Sequence, residues 1–342
     1  MAQTAPPPSN MTADTAPAHQ PESTFRKYNS TDAAKYAAYR PTYNPRLIEL
    51  IVNQHTSTGG QTVRVLDVGC GPGIATRQTA SYFEHVLGVD ASPAMIANAQ
   101  ETPVPSATGE QAEFKVSTAE EIDQLYEPES IDLITVATAA HWFDMPKFYL
   151  AAAKVLKPSG SIAIWCGGRV FVDPDTTPNA QGVQDKWNEL DLEVLRPFEQ
   201  PGNVLCRELY KGMPLPWTID QKSISQEAAG ALSSYDKDNY LRREFNPDGK
   251  PDPDPIFAET KGFVKQLKLT LDQAAKVIGT ASPVTRWREA HKEQLEKGEI
   301  EDCIDRIMRL TREELAKVEE GKGREWFETC IASVLMVVKK KA

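Results

Sequence analysis

Between residues 63 and 165, short apolar and β-branched runs alternate with segments of helical periodicity. Val63-Arg-Val-Leu-Asp-Val68, His85-Val-Leu-Gly-Val89, Glu113-Phe-Lys-Val116, Ile131-Asp-Leu-Ile-Thr-Val136 and Ser161-Ile-Ala-Ile-Trp165 read as strands. Helices are expected over Ile74 to Tyr82, Ala94 to Ala99 and Phe148 to Leu156, with a short helical turn at Ala119 to Asp123. Strands this uniformly apolar are buried on both faces, which implies a parallel sheet between helical layers. Right-handed crossovers then give a doubly wound α/β fold.

The flanks read differently. Met1 to Thr24 is rich in Ala, Pro, Thr and Ser and nearly free of large apolar residues. It cannot bury enough surface to offset its ordering entropy, so a disordered tail is expected there. Helices are predicted over Thr31 to Tyr39, stopping before Pro41, and over Arg46 to Gln54 behind Pro45. After Gly168 the regularity fades into two Pro/Asp-rich loops, Asp173 to Gly182 and Asn246 to Pro255. Helical segments are expected at Val183 to Leu195, Leu205 to Tyr210, Leu271 to Gly279, Arg286 to Gly298 and Ile300 to Glu320. Phe263 to Leu269 and Thr329 to Val338 alternate or run apolar like strands. A core sheet with a helical cap over its carboxyl edge accounts for this order.

Composition narrows the function classes. The 342 residues carry 38 Lys and Arg against 48 Asp and Glu, a net charge of −10. That balance disfavours a nucleic-acid partner, which needs a basic footprint. No apolar run is long enough to cross a bilayer, and no leader pattern opens the chain, so neither a membrane partner nor secretion is expected. Five scattered cysteines without a C-x-x-C spacing, and five histidines without a ligand spacing, point to no disulfide framework and no metal. A cytoplasmic location fits reduced thiols.

The most specific signal is Asp67-Val-Gly-Cys-Gly-Pro-Gly73, which follows the first strand. A loop there lies at the switch point of a doubly wound sheet, where ligands bind. The dinucleotide pattern G-x-G-x-x-G would place its third glycine at Ile74, and Pro72 removes an N–H that a pyrophosphate would use. Asp67 would also repel phosphate and suit an ammonium or sulfonium charge. Asp90 ends the second strand, where a carboxylate accepts from ribose hydroxyls. A nucleoside with a cationic arm describes S-adenosylmethionine.

In these motifs the chain resembles the class I S-adenosylmethionine-dependent methyltransferases. The resemblance implies a Rossmann-like sheet of seven strands, S-adenosylmethionine as cofactor with S-adenosylhomocysteine as product, and a small-molecule substrate. It implies cofactor contacts from the glycine loop (Asp67, Gly69, Cys70, Gly71), the second strand's end (Asp90, Ala91, Met95), Ala119, Glu120, Ala137 and the N-terminal Tyr39 and Arg40. It divides the chain into a tail (1–24), an N-terminal helical lid (25–62), the cofactor-binding core (63–168), cap insertions with remaining core elements (169–325) and a closing strand (326–342).

Tyr36-x-x-Tyr39-Arg-Pro-x-Tyr43, Ser92-Pro-Ala-Met-Ile96, Ala140-His-Trp-Phe143 and Glu199-Gln-Pro-Gly202 with Arg207 are similar to fungal trans-aconitate methyltransferases and their relatives in secondary metabolism. That likeness implies methyl-ester formation on a small carboxylic acid. The alternative is phenol or enol O-methylation, or a cyclisation or rearrangement on the same fold. Asn203 and Gly279-Thr-Ala-Ser-Pro-Val284 depart from the subgroup's pattern and remove two Arg, a Trp and a Tyr from the cap. A substrate less charged than aconitate is expected. His141, just past the fourth strand, is the candidate catalytic residue, either as base or as a substrate contact, with a purely structural role as the third option. Trp142, Arg207 and Trp287 are the candidate substrate contacts. The sequence leaves the oligomeric state open.

Overall fold

The computed structural model describes residues 24–250 and 268–342. The expected tail therefore lies almost wholly outside the described residues, as does the strand expected at Phe263 except for its last residues. Among the described residues eight strands form one sheet, in the order β3-β2-β1-β4-β5-β8-β6, with β7 beside β8. They are β1 (Arg64–Val68), β2 (His85–Asp90), β3 (Glu113–Val116), β4 (Ile131–Ala137), β5 (Leu156–Val172), β6 (Tyr235–Phe245), β7 (Lys268–Thr270) and β8 (Trp326–Lys340). The first five run parallel, and β8 pairs antiparallel with β5, β6 and β7.

Side chains alternate through the sheet. Val65 and Leu133 enter one apolar cluster with helix α2 (Pro45–Ser57), while Leu66 and Ile134 enter the opposite one with Phe148 and Tyr149. Both faces are buried, which is why these strands are continuous apolar runs. A third cluster, built from Val183, Trp187, Leu271, Val284, Ile304 and Phe327, is the interior of the cap.

Helix α1 (Ser30–Tyr39) starts on a reciprocal capping box between Asn29 and Asp32, and α2 on Pro45 behind Asn44. The helix expected near Leu205 begins earlier, at Pro201–Arg207, because Pro201 is preorganised for a first turn. Lys157-Pro-Ser-Gly160 is an excursion within β5: Leu156 pairs with Ile131, and pairing resumes at Ser161 with Leu133. Ser159 turns it with φ +60°. The count of seven strands becomes eight through β6 and the short β7. β6 is a charged edge strand whose central residues are exposed or half-buried, so it lacks the apolar alternation by which strands are read. The helix Gln226–Ser233 before it also went unread.

Candidate active site

At the carboxyl edge of β1, β2 and β4 the backbone turns away from the sheet and leaves a cavity. Gly69, Gly71 and Gly73 all have positive φ. The Gly69 and Cys70 N–H groups donate to the Val89 carbonyl at 2.8 and 3.0 Å, tying the loop across to β2. A Cβ on Gly69 would stand 2.6 Å from that of Ala139, whereas one on Gly71 would meet nothing within 4 Å. Glycine at Gly69 therefore lets the β1 and β4 loops touch, and glycine at Gly71 keeps the cavity floor open.

Asp90 is oriented from both sides. Its Oδ2 accepts from the Gly71 N–H at 2.9 Å and its Oδ1 from the Ser92 N–H at 2.8 Å. Asp90 lines the cavity. Gly69, Cys70, Gly71, Ala91, Met95, Ala119, Glu120 and Ala137 line it as well, together with Phe25, Tyr36 and Tyr43 of the N-terminal segment. Glu120 accepts from the Asp144 N–H at 2.7 Å and so braces the loop after β4. These residues fit S-adenosylmethionine: a carboxylate at the end of β2, an open glycine floor, and apolar walls from Met95, Ala119 and Phe143.

Three expected cofactor contacts stand elsewhere. Asp67 is fully buried beneath the loop, where it accepts from Thr76 Oγ1 at 2.6 Å and Thr135 Oγ1 at 2.9 Å. Burial pushes its pKa up to about 6 against those two donors. It fixes β1, β4 and the following helix to one another rather than facing the ligand. Tyr39 turns to Lys276, whose ammonium lies 5.8 Å from its ring. Arg40, the extended residue that caps α1, lays its guanidinium 4.8 Å over the Tyr36 ring. Arg40 lines a second cavity, not the first.

That second cavity, of about 260 Å³, shares Phe25, Tyr36, Thr138 and Trp142 with the first. Thr138 closes β4 in the left-handed region, at φ +54°. Its N–H donates to the Trp165 carbonyl at 2.7 Å and its hydroxyl pairs with the Tyr43 hydroxyl at 3.1 Å. A β-branched residue is costly there, and these bonds hold it at the junction of the two cavities.

His141 and Arg207 line the second cavity. His141 Nδ1 is 2.8 Å from the Tyr210 hydroxyl. Desolvation, reinforced by the Arg40 charge, lowers the imidazole to about 3. The ring is therefore neutral at physiological pH and of low basicity, a state that asks less of a hydrogen-bonding contact than of a general base. Arg207 is held by both Glu199 oxygens, at 2.5 and 2.6 Å, so it is not a free carboxylate receptor. Trp287 does not reach either cavity: it is buried in the cap interior, stacked on His291 at 4.5 Å. It lies one turn from Val284 on the apolar face of its helix, so packing claims it.

Sequence reasoning missed Arg169 and Asp191, which line the second cavity from cap segments, and Phe25 and Thr138, which line both. Asn203, a departure from the expected pattern, donates to Ser282 Oγ at 3.0 Å and accepts from Arg286 at 2.6 Å. Among the described residues no group of three or more His, Cys, Asp or Glu is arranged to hold a metal, and no helix is long and apolar enough to cross a membrane.

Comparison with known families matches residues 66–164 to the methyltransferase domain family. This stretch contains the glycine loop, Asp90, Glu120 and His141. The match supports a class I S-adenosylmethionine-dependent methyltransferase domain over residues 66–164. The chain is 36% identical over 172 residues to a methyltransferase of Dictyostelium discoideum, covering 50% of this chain and 60% of that protein. It is 29% identical over 261 residues to CRG1 of Saccharomyces cerevisiae, classed among S-adenosylmethionine-dependent methyltransferases, covering 75% and 80%. It is 31% identical over 157 residues to the methyltransferase cfoB of Aspergillus candidus, covering 45% and 49%. Apart from the yeast protein, the chain spans about half to three fifths of the length of these relatives. The fold of the chain also matches a type II methyltransferase structure from Anaeromyxobacter dehalogenans, with a TM-score of 0.54 at 21% identity, over 89% of this chain and 97% of that one.

Proposed function

We propose that the protein is an O-methyltransferase forming a methyl ester on a small carboxylic acid, trans-aconitate-like or a fungal secondary metabolite. The observation that carries this reading is a pair of guanidinium groups in the second cavity. Arg40 and Arg169 both line it and have no carboxylate partner among the described residues. A guanidinium fork matches a carboxylate in shape and charge. The chain's net charge of −10 favours a small molecule over nucleic acid.

The state of His141 supports the same class. A phenol with a pKa near ~10 would profit from a base working near neutrality, and an imidazole lowered to about 3 is a poor one. A carboxylate with a pKa of ~4 is already ionised and requires none. When bound, S-adenosylmethionine supplies an electrophilic methyl group on a sulfonium sulfur. Asp90 would hold the ribose, Arg40 and Arg169 would orient the acid, and Trp142 with Phe25 would exclude water. The loss of arginine at Asn203, now tied to Ser282 and Arg286, fits an acid of lower charge than aconitate.

The test incubates the full chain with methyl-labelled cofactor and a panel of mono-, di- and tricarboxylic acids. Label released by mild alkali is expected, since esters hydrolyse there and ethers do not. Alkali-stable label on a phenolic or enolic acceptor, with none on any acid, overturns the reading.

A further inference from the structure

The second cavity contains an acidic group that ester formation does not use. Asp191 lies in the π-helical turn Leu190–Leu195. Such a turn sacrifices regular i→i−4 bonding and recurs at functional positions. Asp191 is exposed to the cavity and makes no hydrogen bond or ion pair among the described residues. The other acid of the cavity, Glu199, is neutralised by Arg207. Desolvation by the cavity walls, with the nearby Glu199 charge, raises the Asp191 pKa to about 6, while Arg207 and Arg169 act in the opposite direction. Arg169 is thus near enough to be felt, yet it makes no contact pair with Asp191.

A carboxylate and two guanidinium groups without a carboxylate partner, all lining one cavity, complement a molecule with an anionic group and a hydrogen-bond donor. We propose that the substrate is a hydroxy acid, its hydroxyl donating to Asp191 while its carboxylate faces Arg40 and Arg169. This inference rests on the ester-forming reading above. Charge selects a hydroxyl over an ammonium. Arg40, Arg169 and Asp191 together leave one positive charge, which one carboxylate cancels; an ammonium group would restore the excess. In the transfer the carboxylate oxygen forms the new O–CH3 bond as the S–CH3 bond breaks, its electron pair passing to sulfur. No proton moves, so Asp191 acts by binding and sets specificity.

The experiment measures kcat/KM of the full chain, with labelled S-adenosylmethionine, for matched acids: 3-hydroxybutyrate against butyrate, mandelate against phenylacetate, malate against succinate, and 3-aminobutyrate as the ammonium arm. A preference of about tenfold or more for the hydroxy member is expected, the scale of a hydrogen bond to a charged group. The preference should sit mainly in KM and shrink toward one in Asp191→Ala and partly in Asp191→Asn. The ratio between two substrates does not depend on how much of a variant is folded. Equal rates within every pair overturn the inference and leave ester formation standing. A preference for the amino acid overturns it in favour of an ammonium ligand. Methylation of no acid removes the ester-forming reading and the inference with it.

Discussion

Gly202 is packed against Trp142 so closely that a side chain has no room: a Cβ there would lie 2.7 Å from the indole Cζ3 and 2.6 Å from the His141 carbonyl oxygen. The Glu199-Gln-Pro-Gly202 block thus acts as a backstop for the turn that carries His141 and Trp142. Gly202→Ala must displace that turn, since the neighbour is backbone as well as ring. The expected result is a loss of about 1–3 kcal/mol in stability, typical of overpacking, and a fall in turnover of roughly tenfold or more from misplacement at the cavity junction. Thermal melting and kcat/KM measured side by side check both; full activity in a destabilised protein would show that the turn is not held by this contact.

Asp90 both fixes the glycine loop and lines the cavity. Asp90→Ala leaves the Gly71 and Ser92 N–H groups without their acceptor and removes the oxygens lining the cavity. Cofactor affinity by calorimetry should fall by roughly 10- to 100-fold or more. Asp90→Asn, which keeps one acceptor oxygen, should lose less. Equal affinities in wild type and Asp90→Ala would remove Asp90 from the cofactor site.

What the sequence disclosed and what it hid follow a physical division. β1, β2 and β4 were legible because burial on both faces makes their residues uniformly apolar, and the glycine loop because positive φ at Gly69, Gly71 and Gly73 restricts the residue type. Asp90 was legible from its place at a strand end. β6 was hidden because an edge strand has a polar face and needs its partner to exist. Tyr39 and Arg40 were grouped by adjacency, yet Tyr39 is the last residue of α1 and Arg40 is already extended, so the two side chains part and Arg40 meets Tyr36 instead. Asp67 was placed in the site by its motif, but the strand pleat turned it into the sheet toward Thr135. Asp191 and Arg169 come from distant cap segments that only the fold brings together.

The His141 imidazole, lowered to about 3, gives a clear expectation for pH. It stays neutral across pH 5 to 8, so it should contribute no limb to kcat/KM near its ordinary value of 6.5. His141→Gln should lower the rate without changing the shape of the profile. Asp191, raised to about 6, can carry a limb there, with activity on hydroxy acids falling as the pH drops through that value; Asp191→Asn should flatten it. A limb near 6.5 that disappears in His141→Gln would restore the base role.

Far from the cavity, Lys339 is buried and donates to the His55 carbonyl at 3.2 Å and Ser161 Oγ at 3.3 Å, without a carboxylate. Desolvation lowers it from 10.5 to about 8. Between those values the unfolded chain binds the proton that the folded chain has released, so this group makes stability rise with pH. Below about 8 the folded state bears the whole penalty. Lys339→Met should be more stable than wild type at pH 7, with the difference narrowing toward pH 10. Denaturant unfolding at several pH values checks this, and a difference that grows with pH contradicts it.

The N-terminal segment supplies the last expectation. Phe25 sits edge-on to Trp142, Tyr28 and Tyr36 at 6.4, 5.2 and 5.7 Å, and Tyr43 reaches Thr138. Phe25, Tyr36 and Tyr43 also line the cofactor cavity. A ligand filling that cavity gains contact with the segment only while the segment is closed, so binding must stabilise the closed form. Trypsin cleavage at Arg26, Lys27 and Lys35 should slow when S-adenosylmethionine or its demethylated product is added, by a factor that rises with ligand concentration. Phe25→Ala should lose most of that protection and some affinity, because it removes the ring that joins the segment to Trp142. Cleavage in this segment at the same rate with and without saturating cofactor would mean that residues 25–43 do not close over the ligand, and that water is excluded from the junction by Trp142 and Phe143 alone.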